Sequence, residues 1–186
     1  SAGPKGRCYH PCMKRFAIIA AAAACSSAGA PSTTDPARAP TTEPALTAKT
    51  YTIGGNTPTG LLVALHYSSG TPEMWDELVA GWGAPVRVVF PRGPVVHRRS
   101  GYTWFTPDHE DKDLAGKLAD VEQVTARVAR LIRETREARP EIRRVVVTGF
   151  SYGGDIAWLM AMRYPELVDL AAHGGGRGTR ARVCSA

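Results

Sequence analysis

The stretch RRVVVTGFSYGGDIAWLM, residues 143–160, decides the fold. Its run of three valines predicts a buried strand that ends at Phe150, and the apolar spacing after the last glycine predicts a helix. Ser151 therefore lies at a strand-to-helix turn, with Gly149 and Gly153 two positions away on either side. Such a GxSxG segment is either a plain turn or a strained bend that lifts a serine nucleophile clear of a sheet, the glycines letting the two backbones approach.

Strand and helix patterns alternate on both sides of this stretch. Apolar runs bounded by Gly and Pro predict strands, and a helix is expected to begin at Pro72 after Thr71. A second, long helix is expected to end before Pro140. The alternation predicts an α/β fold with a mostly parallel sheet flanked by helices. The predicted strands cover residues 51–53, 61–67, 86–90, 144–150 and 170–172, and the stripe of the long helix consists of Leu118, Val121, Val124, Val128, Leu131 and Ile132.

Over roughly residues 50–174 the sequence resembles the α/β-hydrolase family. The resemblance rests on LHYSSGTPEMWDEL after a strand, on VVFPRGP, on the pair WF and on TGFSYGGDIAWLMAMRYPELV. Within that family it is closest in pattern to phospholipase/carboxylesterase-like and polyester-depolymerase-like serine esterases. The resemblance implies a serine ester hydrolase that acts on small-molecule esters or short polyester chains through an acyl-serine intermediate, without a cofactor or a metal ion.

The resemblance also implies roles for individual residues. Ser151 matches the nucleophile, and the backbone N–H of Tyr152 matches one donor of the oxyanion hole. The second donor would come from the backbone of Ser68 or Tyr67. Tyr67 stands where the family usually has a glycine, so which amide points inward stays open.

Other side chains near these residues can be interpreted either as part of the site or as structural. Trp104 and Phe105 either line an acyl pocket or pack in the core. His66, at the end of a predicted strand, is interpreted as a structural residue rather than a general base.

The acid and the histidine of a catalytic triad are not evident in the sequence. In this fold they follow the nucleophile in the order acid and then histidine, and 35 residues follow Ser151. Asp169 and His173 both come earlier than the family pattern expects, although His173 is kept as a candidate base, and His97 and His109 are placed outside the triad. We therefore expect the carboxyl-terminal strands to be missing. The alternative to an esterase is a catalytically inactive, truncated hydrolase-fold fragment.

Composition excludes several other classes of function. The formal charge is +6, but residues 49–176 carry 15 basic and 15 acidic side chains, which argues against nucleic-acid binding. The four cysteines all lie outside that range, so no disulfide framework or zinc motif is expected.

The amino-terminal part is typical of an exported protein. Met13 is followed by two basic residues, an apolar run too short to span a bilayer, and Cys25 with small neighbours. This pattern predicts either a lipoprotein anchored to a membrane through Cys25 or a secreted or periplasmic protein. We expect residues 1–25 to be this leader, with 1–12 upstream of the true start. A flexible linker at 26–48, a partial hydrolase domain at 49–176 and an irregular basic tail at 177–186 complete the predicted organisation.

Overall fold

The computed structural model describes residues 43–174 and the backbone of residues 182–185. The predicted leader with Cys25, the linker as far as residue 42, and residues 175–181 and 186 lie outside the described residues. Two 3-10 helices, Pro72–Trp75 and Pro107–Asp111, occur in the described part. Its other elements are, in chain order, β1 (Ala48–Ile53), β2 (Gly60–Leu65), α1 (Asp76–Val79), β3 (Val86–Pro91), β4 (Val95–Val96), β5 (Tyr102–Thr103), α2 (Leu114–Ala138), β6 (Arg144–Phe150), α3 (Tyr152–Arg163), β7 (Leu170–Gly174) and β8 (Arg182–Ser185).

Six strands form one sheet in the order β1-β3-β2-β6-β7-β8, and β4 pairs with β5 in a separate hairpin. The four central strands β3, β2, β6 and β7 are mutually parallel, whereas β1 and β8 run antiparallel at the two edges. Because parallel strands end at one edge of a sheet, the segments after β2, β3 and β6 meet there. The predicted mostly parallel α/β fold is confirmed.

The alternation of side chains along β2 explains how both faces of the sheet are covered. Leu61, Val63 and Leu65 point to the face that packs against α2 and α3, while Leu62 and Ala64 point to the opposite face. That second face is covered by the 3-10 helix Pro72–Trp75 and by α1. The Trp75 ring of the 3-10 helix packs near the Phe90 ring, and Val79 of α1 belongs to the same buried cluster. A strand buried on both faces is apolar throughout, as β2 is.

Helix α2 ends where the sequence predicts, before Pro140. The side chain of Asp113 accepts a hydrogen bond from the Gly116 N–H at 2.8 Å, which caps the helix, and the helix ends at Ala138 before Pro140. Leu118 was predicted within its apolar stripe, but 44% of its surface is exposed. It lines a cleft between the first turns of α2 and helix α3.

At both ends the folded part differs from the boundaries expected from composition. Leu46 is buried in the core and β1 already begins at Ala48, upstream of residue 49. Residues 182–185 form β8 on the edge of β7, where an irregular tail was expected, because a strand edge offers unpaired N–H and C=O groups to returning chain. In the part of the chain described, no helix is long and apolar enough to cross a membrane.

Candidate active site

Ser151 occupies a strained bend between β6 and α3. Its backbone has φ 51° and ψ −127°, a region that costs a residue with a side chain about 1–3 kcal/mol, and the residue is exposed. A Cβ on Gly149 would lie 2.3 Å from the carbonyl carbon of Gly153, so strand and helix approach closely enough to require glycine. Of the two interpretations of the GxSxG stretch, the strained bend is present.

The first turn of α3 directs backbone amides toward this bend. Tyr152 is the first residue of the helix, so its N–H has no acceptor within the helix. The amides of Gly154 and Asp155, two and three positions further on, donate to the Ser151 carbonyl at 2.7 and 3.0 Å. The positive end of the helix dipole therefore lies where negative charge would develop on a substrate that reacts with Ser151.

The backbone that leaves β2 lies directly against this helix end. A Cβ on Gly153 would be 2.5 Å from the carbonyl oxygen of Leu65 and 2.7 Å from that of His66. Ser68, two residues further on, lines the same cavity as Tyr152. The structure thus brings together two of the residues proposed to form the oxyanion hole. The side chain of Tyr67, the third, is 43% exposed and is directed away from the core.

This cavity has a volume of about 370 Å³ and is lined by both polar and apolar side chains. Phe105 forms part of its wall, whereas Trp104 is 1% exposed and packs in the core. Ser151 itself does not line the cavity and lies next to it through Tyr152. The other lining residues are Ser68, Val95, Val96, His97, Arg98, Thr103, Thr106, Pro107, His109, Glu110 and Asp111.

The candidate base His173 lies close to the bend but is paired elsewhere. It stands opposite Gly149 in the register of β6 and β7, and its ring packs over Gly154 in the first turn of α3. Its Nε2 is 3.3 Å from the Oδ1 of Asp155. Within residues 43–174, no hydrogen bond joins the Ser151 hydroxyl to an imidazole.

Asp169 lies at the opposite end of the sheet from Ser151. Its carboxylate accepts hydrogen bonds from the Val145 N–H and from Arg144, each at 2.8 Å. The bond from the Val145 amide is the main reason why the pKa of this carboxyl lies below its ordinary value. The Asp169 carboxylate therefore connects the start of β7 to the start of β6 by hydrogen bonds, far from the bend at Ser151.

A histidine and aspartate pair that the sequence did not predict borders the cavity. His109 is buried, its Nδ1 is 2.8 Å from Oδ2 of Asp120, and Lys112 donates to both oxygens of the same carboxylate. These contacts lower the pKa of Asp120, with the bond from Lys112 contributing most. The His109 ring stacks on Phe105 at 4.1 Å and meets the Tyr152 ring edge-on at 5.6 Å. No sequence motif marks this pair, because it depends on how the 3-10 helix Pro107–Asp111 folds back onto α2.

No group of side chains in the described ranges, 43–174, has the composition and proximity to hold a metal ion. The geometry is instead that of a serine presented at a helix amino terminus beside a cavity. Such an arrangement is suited to nucleophilic attack on a carbonyl group.

Solved structures with the same architecture include esterases. Esterase PE8 superposes with a TM-score of 0.56 at 21% identity, with 65% of this chain and 59% of that chain covered. For the Bacillus cereus carboxylesterase the TM-score is 0.53 at 18% identity, with 67% and 57% covered. A protein of unknown function from Agrobacterium tumefaciens str. C58, Atu2452, gives 0.54 at 24%, with 67% and 57% covered. The chain thus spans less than three fifths of the length of these structures, and at such identities the likeness shows the fold.

A search of curated proteins gave no match. The family model described as "Esterase: Putative esterase" matches residues 62–175, which is more than half of the chain and includes most of β2, the bend at Ser151 and β7. The chain therefore belongs to this esterase family, and its fold is of the α/β-hydrolase type.

Proposed function

We propose that this chain hydrolyses carboxylic esters of small molecules through an acyl-serine intermediate on Ser151. The observation that carries the proposal is the backbone of Ser151 at φ 51° between β6 and the amino terminus of α3. A fold retains such strain in a residue with a side chain only where its surroundings enforce it, and these sites are concentrated at reacting groups. Membership of the esterase family supports the class of reaction.

In the proposed reaction the Ser151 Oγ attacks the ester carbonyl carbon, and its proton passes to a base. The carbonyl oxygen becomes an oxyanion held by the Tyr152 N–H and a second amide after β2. The alcohol leaves with a proton, and water then releases the acid from the acyl-serine. Short polyester chains, which contain the same ester group, are included in the proposed substrates.

The base is the open part of this mechanism. His173 is the first candidate because its ring lies over the first turn of α3, and it would have to turn from Asp155 toward Ser151. His109 is the second residue to be tested as the base, because it lines the cavity and its ring is oriented by Asp120. If no group of the chain takes the proton, the chain is the inactive hydrolase-fold alternative.

Labelling of the full chain with a fluorophosphonate tests the proposal. The probe forms a bond between Ser151 Oγ and phosphorus as fluoride leaves, and Ser151→Ala is the control. We expect labelling that is lost in the control, together with turnover of a short-chain nitrophenyl ester. Folded protein that is neither labelled nor active would overturn the esterase proposal and favour the inactive alternative.

The same assay identifies the base. We compare His173→Gln with His109→Gln, because glutamine keeps polarity near that of imidazole but cannot take the proton. Loss of a triad histidine lowers kcat by several orders of magnitude, so the variant of the true base should lose nearly all turnover. Equal, small losses in both variants would show that neither residue is the base.

We also propose that the protein is exported, with Cys25 as the site of lipid attachment. This rests on the sequence from Met13 to Cys25. Metabolic labelling of a bacterial host with a fatty-acid probe, using Cys25→Ser as the control, should give a lipid-labelled protein that the control lacks. Labelling of neither protein, with the product in the soluble fraction, would favour ordinary secretion.

A further inference from the structure

His66 is the largest polar side chain that is fully buried beside the site. It follows β2 directly, has no exposed surface, and stacks on Trp104 with 4.7 Å between ring centroids. The Trp104 Nε1–H donates to the His66 carbonyl at 2.7 Å. A buried polar group of this size is retained where its hydrogen bonds are satisfied, so the partners of the ring define what it does.

The two ring nitrogens have partners of opposite kind. Nε2 is 2.9 Å from the backbone nitrogen of Gly93, which can only donate, so Nε2 is the acceptor and carries no proton. Nδ1 is 2.7 Å from the carbonyl oxygen of Tyr67, which can only accept, so Nδ1 carries the proton. Together the two contacts assign a neutral ring with its proton on Nδ1.

The charge environment agrees with a neutral ring. Burial lowers the pKa of His66 from its ordinary value of 6.5 and outweighs two effects that raise it. Those effects are the hydrogen bond to the Tyr67 carbonyl and the field of Glu73, a residue of the 3-10 helix Pro72–Trp75.

The bond from Nδ1 fixes the peptide group between Tyr67 and Ser68. The Tyr67 oxygen also accepts the Gly70 N–H at 2.9 Å, so both of its lone pairs are used. Because the peptide is planar and trans, fixing this oxygen directs the Ser68 N–H the opposite way, away from the imidazole.

The Ser68 amide remains available for a ligand. Among residues 43–174, no carbonyl accepts its N–H, whereas the neighbouring Ser69 N–H is used by the Tyr102 carbonyl at 2.9 Å. The Ser68 side chain is held by Thr103 at 3.0 Å and lines the cavity that Tyr152 also lines. The Ser68 N–H, which the fixed Tyr67 carbonyl orients, therefore has no acceptor among the described residues.

We propose that His66 is a positioning residue which, with its proton on Nδ1, holds the Tyr67 carbonyl so that the Ser68 N–H forms the second donor of the oxyanion hole. This inference rests on the proposed esterase function of Ser151. His66 touches no substrate and acts through one peptide group. Its effect should therefore appear in the reaction step rather than in substrate binding.

Two substitutions separate the roles of the two nitrogens. In His66→Asn the amide N–H takes the place of Nδ1–H and still reaches the Tyr67 carbonyl, but the acceptor for Gly93 is lost. In His66→Gln the longer side chain brings its oxygen to the position of Nε2, so Gly93 keeps its acceptor and the Tyr67 carbonyl loses its donor. Both variants lose one hydrogen bond of the ring, which makes each the control for the other.

The readouts are kcat and KM for a nitrophenyl ester and the rate of fluorophosphonate labelling. Complete loss of an oxyanion donor lowers kcat by about 10²–10³, so a misdirected donor should lower it by roughly 10–100-fold in His66→Gln. KM should change little in that variant, and His66→Asn should lose less than about fivefold in kcat. Equal losses in the two variants, or a loss confined to KM, would overturn the positioning role.

Nuclear magnetic resonance of the full chain labelled with ¹⁵N-histidine gives a readout that is independent of activity. We expect the His66 signals, identified by their absence from the spectrum of His66→Gln, to have the neutral Nδ1–H pattern at pH 7. A proton on Nε2, or a charged ring at pH 7, would overturn the inference. Wild-type protein that is never labelled at Ser151 would overturn the esterase function and this inference with it, while normal labelling of His66→Gln would overturn the inference alone.

Discussion

Gly153 lies in contact with the carbonyl group of Leu65, so closely that a Cβ at position 153 would be 2.5 Å from that oxygen. This contact joins the first turn of α3 to the end of β2. It sets the distance between the two backbone segments that would form the oxyanion hole.

Gly153→Ala should therefore destabilise the fold and impair the reaction together. The methyl group would collide with backbone rather than with a movable side chain, and such overpacking costs roughly 1–3 kcal/mol in the free energy of unfolding. Urea denaturation measures this change, and the labelling rate at Ser151 measures the displaced helix end. Gly83→Ala is the matched control, because nothing lies within 4 Å of its added methyl group. A change above about 0.5 kcal/mol in that control would show that glycine replacement itself has the effect.

Ser151→Gly should raise stability while abolishing labelling. Glycine adopts positive φ without steric cost, so relief of strain should add about 1 kcal/mol to the free energy of unfolding. Ser151→Ala removes the same hydroxyl but keeps the Cβ, so it should not show the gain. Equal stability of the two variants would contradict the idea that strain is stored at this residue.

Asp169→Asn should lower stability without changing the labelling rate of Ser151. The carboxylate holds the Val145 N–H and Arg144 at the far end of the sheet, and losing a charge-assisted hydrogen bond there should cost about 1 kcal/mol. Because the folded state depresses the pKa of Asp169, its contribution is present above the ordinary value of 3.8 and is lost as pH falls through the lower folded value. A variant with strongly reduced labelling would place Asp169 in the reaction after all.

Stability should decrease on mild acidification because of His66. Its pKa is lowered in the folded protein, so below about pH 6.5 the unfolded chain binds a proton at this residue that the folded chain does not. The free energy of unfolding therefore falls as pH decreases from 6.5 toward the folded pKa, by at most about 1.4 kcal/mol per pH unit. Glu73, the acidic group whose field acts on the ring, opposes this trend.

The difference between wild type and His66→Asn isolates that contribution from the other histidines. Urea denaturation at a series of pH values between 4.5 and 8 should give a flatter profile for the variant. Parallel profiles would mean that His66 takes up its proton in the folded state as readily as in the unfolded chain.

The central strands and the bend could be predicted because their signal is local. Runs of β-branched residues define β3 and β6, and the strand at β6 has the bounds that the sequence predicts. The GxSxG spacing requires two close backbone approaches, which the glycine contacts show. Local chemistry is enough at these places, because each residue's role depends on its immediate neighbours.

The hydrogen-bond partners of the site could not be predicted, because they join residues far apart in sequence. His66 binds Gly93, 27 positions away, and His109 binds Asp120 across a turn whose path no propensity specifies. Leu78 shows the same limit within a helix. Its spacing from Trp75 and Val79 suits a shared buried face, but Leu78 is 54% exposed, because α1 is only one turn long.

The peptide group between Tyr67 and Ser68 has a consequence for which sequences can carry this site. Position 67 contributes a carbonyl oxygen, which every amino acid possesses, and its backbone has no positive φ that would favour glycine. Its side chain faces solvent, so many residue types are compatible there, and the departure from the glycine of the family pattern costs nothing at this point. In the proposed oxyanion hole position 68 contributes an N–H, which proline alone lacks. The proposed site therefore excludes proline at position 68 and requires no particular residue at position 67. A motif search looks for preferred residues, so it would not detect this constraint.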